Sequence, residues 1–141
     1  MNKLFKKWRK SNDGATAIEF AMIAAPFMFL LIGIIELALF FTATSLLHGA
    51  SENAARLVRT GQVQQALGDP QQMFEDALCD HASVFIACDE IQYEVITLDD
   101  FSDFDNHPAQ YDANGVLVPA GFSAGGVNDV VLIRAVHSYN F

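Results

Sequence analysis

The chain has 141 residues, a length that accommodates one domain with an appended segment but not two full hydrophobic cores. Hydrophobic residues make up 52% of it and charged residues 18%, a balance too apolar for a disordered chain. The net charge of −9, from 17 acidic residues against eight basic ones, argues against binding nucleic acid through its phosphates.

The charges are strongly ordered along the chain. Every acidic residue except Asp13 follows Gly14, whereas only three arginines lie beyond that glycine. The other five basic residues all fall within the first ten positions, and they are Lys3, Lys6, Lys7, Arg9 and Lys10. A short cationic head therefore precedes a long anionic body, and an almost uncharged stretch lies between them.

The uncharged stretch predicts a helix that crosses a membrane. Between Ala15 and Ala43 the only charged residues are Glu19 and Glu36. Residues 18–41 would form a helix roughly 36 Å long, which exceeds the hydrocarbon core of about 30 Å. A secretory signal peptide has an apolar core of only about 7–15 residues. We therefore expect this helix to remain part of the protein.

The basic head sets the expected orientation of the span. Lysines and arginines next to a membrane helix hold that end in the cytoplasm. The N-terminus is thus expected in the cytoplasm, and the segment after Thr42 on the outer side.

Two acidic residues lie in or beside the predicted span. Glu36 falls near the outer interface, where a solvated carboxylate is expected. Glu19 lies close to the start of the span, where an acid costs free energy unless it is paired or lies among the headgroups. It either interacts with the helix dipole at the helix start or meets a positive charge on another chain.

The basic head, the segment GATAIEF at residues 14–20 and the apolar helix after it resemble a type IV prepilin processing site. In such proteins a membrane aspartic peptidase cuts after the glycine and leaves a glutamate at the fifth mature position. The resemblance implies cleavage between Gly14 and Ala15, with Glu19 as the fifth residue of the mature chain.

The stretch 14–62 is similar to the TadE-like pseudopilins of the tight-adherence (Tad, or Flp) pilus system. The similarity is carried by Glu19-Phe20, by Pro26 early in the span and by ENAARLVRTGQ at residues 52–62. Family members usually continue past their last strand, whereas this chain stops at Phe141.

Beyond the span, apolar residues at helical spacings predict that the helix continues to about Gln65. Gly61 and Gly68 can end it. A second, short helix is predicted with Asp69 as N-cap and Pro70 at its first position. Its expected apolar face contains Met73, Phe74, Ala77 and Leu78, and its expected outer face contains Glu75, Asp76 and Asp80.

Cys79 and Cys88 are the only cysteines. In a cytosolic protein such a pair would indicate a redox or metal site, whereas in a small domain outside the cytoplasm it favours a disulfide over free thiols. A metal site is not expected. Cys79, Cys88 and the nearby His81 are three possible ligands, and no fourth ligand lies at a usual spacing. TadE-like proteins often have a cysteine pair in this segment.

Two strands are predicted, IQYEVITL at residues 91–98 and DVVLIRAVHSY at residues 129–139, as antiparallel neighbours. Between them lie most of the turn residues, with 116–118 as a candidate short edge strand. Because two strands alone are marginally stable, the sheet is expected to lie against the long helix.

The predicted fold class is α+β and pilin-like. A long N-terminal helix spans the membrane with its first half and is amphipathic in its second half, and a short second helix and a small antiparallel sheet pack on it. Residues 1–14 are expected to be a cytoplasmic basic leader, 15–43 the transmembrane helix and 44–141 an extracytoplasmic, periplasmic domain.

The residue pattern contains no constellation that predicts catalysis. The acidic loop DDFSDFDN at residues 99–106 lacks the glycine and closing glutamate of an EF-hand loop, so a solvated acidic turn is expected. Ser45, His48 and Ser51 lie within two helical turns, but no acid with a triad role stands out. We expect no enzyme, no cofactor and no metal.

The resemblance implies a structural minor pilin or pseudopilin of the bacterial inner membrane. A prepilin peptidase would cut it after Gly14, and it would then take part in assembling a Tad-type IV pilus for adhesion and surface colonisation. The other implied partners are TadF-like minor pilins, the major Flp pilin and the inner-membrane platform with its ATPase. The alternative is an uncleaved single-pass membrane protein whose periplasmic binding domain makes it an accessory or sensor subunit.

Cleavage would remove all five basic residues of the head and expose a new amine at Ala15. In an apolar assembly that amine needs a counter-charge, which Glu19 of an adjacent subunit is expected to supply.

Overall fold

The computed structural model of the chain describes residues 14–139. Four main elements follow in chain order: α1 (Ala15–Arg59), α2 (Pro70–Ala82), β1 (Ile91–Leu98) and β2 (Val130–His137). Short 3-10 turns lie at Cys88–Glu90 and Phe101–Asn106. The predicted α+β class, with a long N-terminal helix, a short second helix and a small antiparallel sheet, is confirmed. The chain divides between Leu39 and Phe40 into two units.

The first unit contains the start of α1, and its large apolar side chains are exposed. Phe20, Met22 and Phe29 are each about three quarters exposed, at 74%, 74% and 76%. By length and composition α1 is able to cross a membrane, and none of its most apolar window is buried within the chain. A helix that is apolar on every side needs lipid or other helices around it. These properties indicate a single-pass membrane protein.

The second unit has a hydrophobic core formed by the end of α1, by α2 and by one face of the sheet. α1 contributes mainly small side chains, which allow close approach, and these are Ala43, Ala50, Ala54 and Val58. Phe74 of α2 is fully buried, and its ring lies 5.3 Å from that of Tyr93 and 5.7 Å from that of Phe122. The expected packing of the sheet on the long helix is therefore confirmed.

α1 ends at Arg59 rather than at about Gln65, because Gly61 has a φ of +77°. The Gly61 N–H donates to the Val58 carbonyl, and the Gln62 N–H donates to the Leu57 carbonyl, each at 3.0 Å. These two bonds form the Schellman motif, in which a left-handed glycine satisfies the last carbonyls of a helix. Residues 60–65 continue as turns.

α2 begins as predicted. Asp69 is its N-cap and accepts a hydrogen bond from the Gln71 N–H at 3.0 Å, while Pro70 occupies the first helical position. Phe74 and Leu78 are buried. Glu75 departs from the prediction that it faces outward, because it is half-buried and bonded to Tyr93 of β1.

β1 and β2 pair antiparallel, in a register that joins Ile91 to His137 and Leu98 to Val130. The other edge of β1 is bonded to residues 121–123: the Val95 N–H donates to Gly121 at 3.1 Å, and the Ser123 N–H donates to the Val95 carbonyl at 2.6 Å. The prediction of an edge strand at 116–118 is wrong. That segment makes one isolated bridge, between Leu117 and Tyr111, and the neighbour of β1 is the segment 121–123.

Candidate functional site

The predicted processing site lies at the start of α1. Ala15 is the first residue of the helix, Gly14 immediately precedes it, and both are exposed. A Cβ atom built on Gly14 would meet no atom of the other described residues within 4 Å, apart from its neighbour in the chain. The peptide bond between the two residues thus lies at an exposed end of the described chain. The rest of the predicted leader, residues 1–13, lies outside the described residues.

Glu19 lies one helical turn after Ala15, so the two residues share a face of α1. It is exposed, and no ion pair joins it to another residue of the described range 14–139. Glu36, further along the helix, is half-buried. Within residues 14–139 the Glu19 carboxylate therefore has no counter-charge.

Cys79 and Cys88 are joined by a disulfide, with their Cα atoms 5.5 Å apart. The bond ties the last turn of α2 to the 3-10 turn that leads into β1. It therefore fixes the second helix against the start of the sheet.

An ion pair buried between the strands was not predicted from the sequence. Glu94 of β1 is 2% exposed and stands directly opposite Arg134 of β2. Arg134 donates from Nη1 to Glu94 Oε1, and from Nη2 to the His107 carbonyl at 2.9 Å. The Ala120 N–H donates to Glu94 Oε2 at 2.9 Å. The sequence does show an acidic residue on one predicted strand and a basic residue on the other. Only the register of the two strands shows that these residues lie opposite each other.

A second polar cluster links α2 to β1. The Tyr93 hydroxyl donates to Glu75 Oε1 and accepts from Gln71 Nε2, the latter at 2.8 Å. Burial, followed by the hydrogen bond to Glu75, raises the pKa of Tyr93 to about 12. The hydroxyl thus stays protonated at neutral pH and acts as a fixed donor between the two elements.

The acidic segment after β1 uses its carboxylates to close turns. Asp100 Oδ1 accepts from the Ser102 hydroxyl and N–H, each at 2.6 Å, and these bonds lower the pKa of Asp100. Asp112 accepts from the Val116 and Asn114 N–H groups, each at 2.8 Å, which lowers the pKa of Asp112. Among residues 14–139 no group of three or more His, Cys, Asp or Glu side chains is placed to hold a metal ion.

The serine and histidine residues on α1 do not form a triad. His48 Nε2 lies 3.3 Å from the Glu52 carboxylate, and both side chains are largely exposed. The Ser51 hydroxyl donates to the Leu47 carbonyl of its own helix at 2.8 Å. His48 and Ser51 are thus each engaged with a group of their own helix.

The described structure is that of a protein with one N-terminal helix able to cross a membrane and a small α+β unit. In a comparison with known protein families, residues 14–56 match the model of the TadE-like proteins. The match starts at Gly14, covers less than a third of the chain and confirms the predicted resemblance to TadE-like proteins of the Tad pilus system. No curated protein and no solved structure matches the chain.

Proposed function

We propose that the protein is a minor pilin or pseudopilin that is cleaved after Gly14 and takes part in assembling a Tad-type IV pilus for adhesion and surface colonisation. One observation carries this proposal. The family match begins at Gly14, the same residue that precedes the exposed start of an apolar helix able to cross a membrane. A peptidase that cuts at the membrane surface needs a site of this kind.

In the proposed topology, residues 1–14 are a cytoplasmic leader, residues 15–43 cross the inner membrane and residues 44–141 lie in the periplasm. The five basic residues of the head support this orientation, because positive charges remain on the cytoplasmic side. The disulfide between Cys79 and Cys88 also fits an oxidising compartment.

Processing would change the charge at the membrane end of α1. Removal of the leader takes away all five basic residues of the head, and with them the attraction that holds this end at the cytoplasmic face. It also creates a positive amine at Ala15. The exposed Glu19, which has no ion-pair partner in the described range, is the proposed counter-charge for the amine of a neighbouring subunit.

The proposed partners follow from this role. The prepilin peptidase acts on the leader, while TadF-like minor pilins and the major Flp pilin contact the processed chain. The platform proteins with their ATPase drive its movement out of the inner membrane. In the assembled pilus the subunit would be extracellular.

The decisive experiment compares the mass of the protein with and without its cleavage glycine. In cells with an active prepilin peptidase, membrane-extracted wild-type protein should lack residues 1–14, whereas Gly14→Leu should keep the full 15.5 kDa chain. Gly33→Leu is the matched control, since Gly33 also has no atom near its Cβ position but lies within the span. It should be shortened like the wild type.

Two results would overturn the processing claim. One is wild-type protein that retains Met1 to Asp13 beside a working peptidase, which would favour the uncleaved accessory or sensor subunit. The other is normal shortening of Gly14→Leu.

A further inference from the structure

A pocket of about 290 Å³ lies in the second unit, between the start of α2, the start of β1 and the segment 119–122. We call it the α2–β1 pocket. Gln71 and Glu75 of α2, Tyr93 of β1 and Phe122 line it, together with apolar or uncharged neighbours. Among the described residues that line the pocket, Glu75 is the single charged one.

The pocket exists because the segment 119–123 diverges from β1. This segment is hydrogen-bonded to Val95, but no backbone hydrogen bond joins it to Tyr93. Its Ala120 N–H donates instead to Glu94 Oε2, at 2.9 Å. Strand residues two apart direct their backbone groups to the same edge. The Tyr93 carbonyl therefore faces the same edge of β1 as Val95, without a donor from that segment.

Glu75 brings an unpaired negative charge to the pocket. It is half-buried and forms no ion pair within residues 14–139. The hydrogen bonds that it accepts from the Tyr93 hydroxyl and from Gln71 Nε2 both end on Oε1. Within the described residues none ends on Oε2. A carboxylate removed from water in this way is stabilised by a cation or by further donors.

The surroundings of the pocket add negative charge. Burial is the largest cause of the raised pKa of Tyr93, and the negative charges of Glu75 and Asp69 raise it further. None of the three arginines that follow Gly14 lines the pocket. The α2–β1 pocket is thus complementary in charge to a cation.

Two aromatic rings indicate which cation fits. The ring centroids of Tyr93 and Phe122 lie 6.5 Å apart, with their planes at 85° to each other, and both side chains are half-buried. The face of an aromatic ring attracts a cation. A guanidinium group is planar, stacks on aromatic rings and carries five donors, whereas an ammonium group is a compact, strongly hydrated charge. Two rings beside unpaired acceptors therefore favour arginine over lysine.

We propose that the α2–β1 pocket binds an arginine side chain of another protein. The guanidinium group donates to Glu75 Oε2 and to the Tyr93 carbonyl, and it lies against the Tyr93 and Phe122 rings. A second copy of this chain is a poorer partner, because two chains of net charge −9 repel each other. The inference goes beyond the proposed function, since neither cleavage nor pilus assembly enters the argument.

A short peptide of defined chemistry tests the inference on the full chain in neutral detergent. The probe is a blocked tripeptide with arginine between two glycines. Its matched control has citrulline in place of arginine, which keeps the shape but removes the charge. Binding is followed in the two-dimensional amide NMR spectrum of the isotopically labelled protein. We expect saturable shifts of amides in 71–75, 91–93 and 120–122, and at least tenfold weaker binding of the citrulline peptide.

Two variants locate the charge that binds the peptide. Glu75→Gln keeps the size of the side chain but removes its charge, so it should weaken binding of the arginine peptide about tenfold or more. Asp76→Asn is the matched control, because Asp76 is the next residue of α2, is exposed and does not line the pocket. It should bind the peptide like the wild type. The amide spectrum also shows that each variant keeps its fold.

Several results would contradict the inference. They are equal binding of the citrulline peptide, binding that Glu75→Gln leaves unchanged, and shifts confined to other parts of the chain. Tighter binding of tetramethylammonium than of the arginine peptide would instead assign the pocket to a small quaternary ammonium ligand. Self-association in sedimentation that Glu75→Gln abolishes would show that a second copy supplies the cation. None of these results bears on cleavage after Gly14.

Discussion

Glu94 keeps a buried carboxylate in the second unit because donors reach both of its oxygens. Arg134 supplies one from the opposite strand, and the Ala120 backbone supplies another from the segment that covers this face of the sheet. A buried ion pair of this kind adds little net stability compared with apolar side chains. Removing one partner, however, leaves the other charge buried and uncompensated, which is strongly destabilising. The pair therefore enforces the register of β1 against β2.

Replacing Arg134 tests this dependence. Arg134→Met should lower the free energy of unfolding by about 3–5 kcal/mol, because Glu94 is left buried without its counter-charge. The measurement is denaturant unfolding of the full chain in detergent, followed by the near-ultraviolet circular dichroism of its tyrosines. Arg59→Met is the control, since the exposed Arg59 forms no ion pair in the described range. Glu94→Leu/Arg134→Met should recover much of the loss, and equal effects of Arg134→Met and Arg59→Met would contradict the argument.

At the scale of secondary structure, local chemistry predicted some elements well. The Asp69-Pro70 pair locates the start of α2 to the residue, because capping depends only on neighbours in the chain. The alternation of Ile91–Leu98 likewise gives the full extent of β1. The capping pattern and the alternation each lie within a short stretch of the sequence, so distant segments are not needed to recognise them.

Features that depend on distant segments were missed. Residues 116–118 and 121–123 are both able to extend, and only the three-dimensional course of the chain decides which one lies beside β1. The Glu94–Arg134 pair likewise depends on the register of β1 against β2. The resemblance of residues 14–56 to TadE-like proteins was predictable because the residues that carry it lie together in the chain.

The disulfide should stabilise the junction between α2 and β1. Cys79→Ser/Cys88→Ser should lower the free energy of unfolding by about 2–3 kcal/mol, because the unfolded chain regains the entropy of a short closed loop. Denaturant unfolding with and without dithiothreitol measures the effect. The reductant should destabilise the wild-type protein to the level of the variant and leave the variant unchanged. A variant as stable as the oxidised wild type would show that the bond contributes nothing.

At the scale of the whole molecule, proposed processing makes an anionic protein more anionic. Loss of residues 1–14 removes five basic residues and Asp13, which takes the formal net charge from −9 to −13. Like-charged subunits repel when they are packed closely. An assembly of such subunits therefore depends on the cations that remain, namely the new amine at Ala15, the exposed Arg56 and Arg59, and charges supplied by partners.

In the assembled pilus the amine at Ala15 would lie among apolar helices, where it needs a counter-charge. We therefore expect assembly to depend on the Glu19 carboxylate. We expect Glu19→Ala to be cleaved at least in part and to remain in the membrane, yet to be absent from sheared surface fibres. Glu36→Ala is the matched control within the same helix and should still assemble. Intact mass reports cleavage, and immunoblots of the sheared fraction report incorporation. Recovery of Glu19→Ala in fibres to the same extent as Glu36→Ala would show that the amine of the neighbouring subunit does not depend on Glu19 for its counter-charge. That result would leave the proposed cleavage after Gly14 standing.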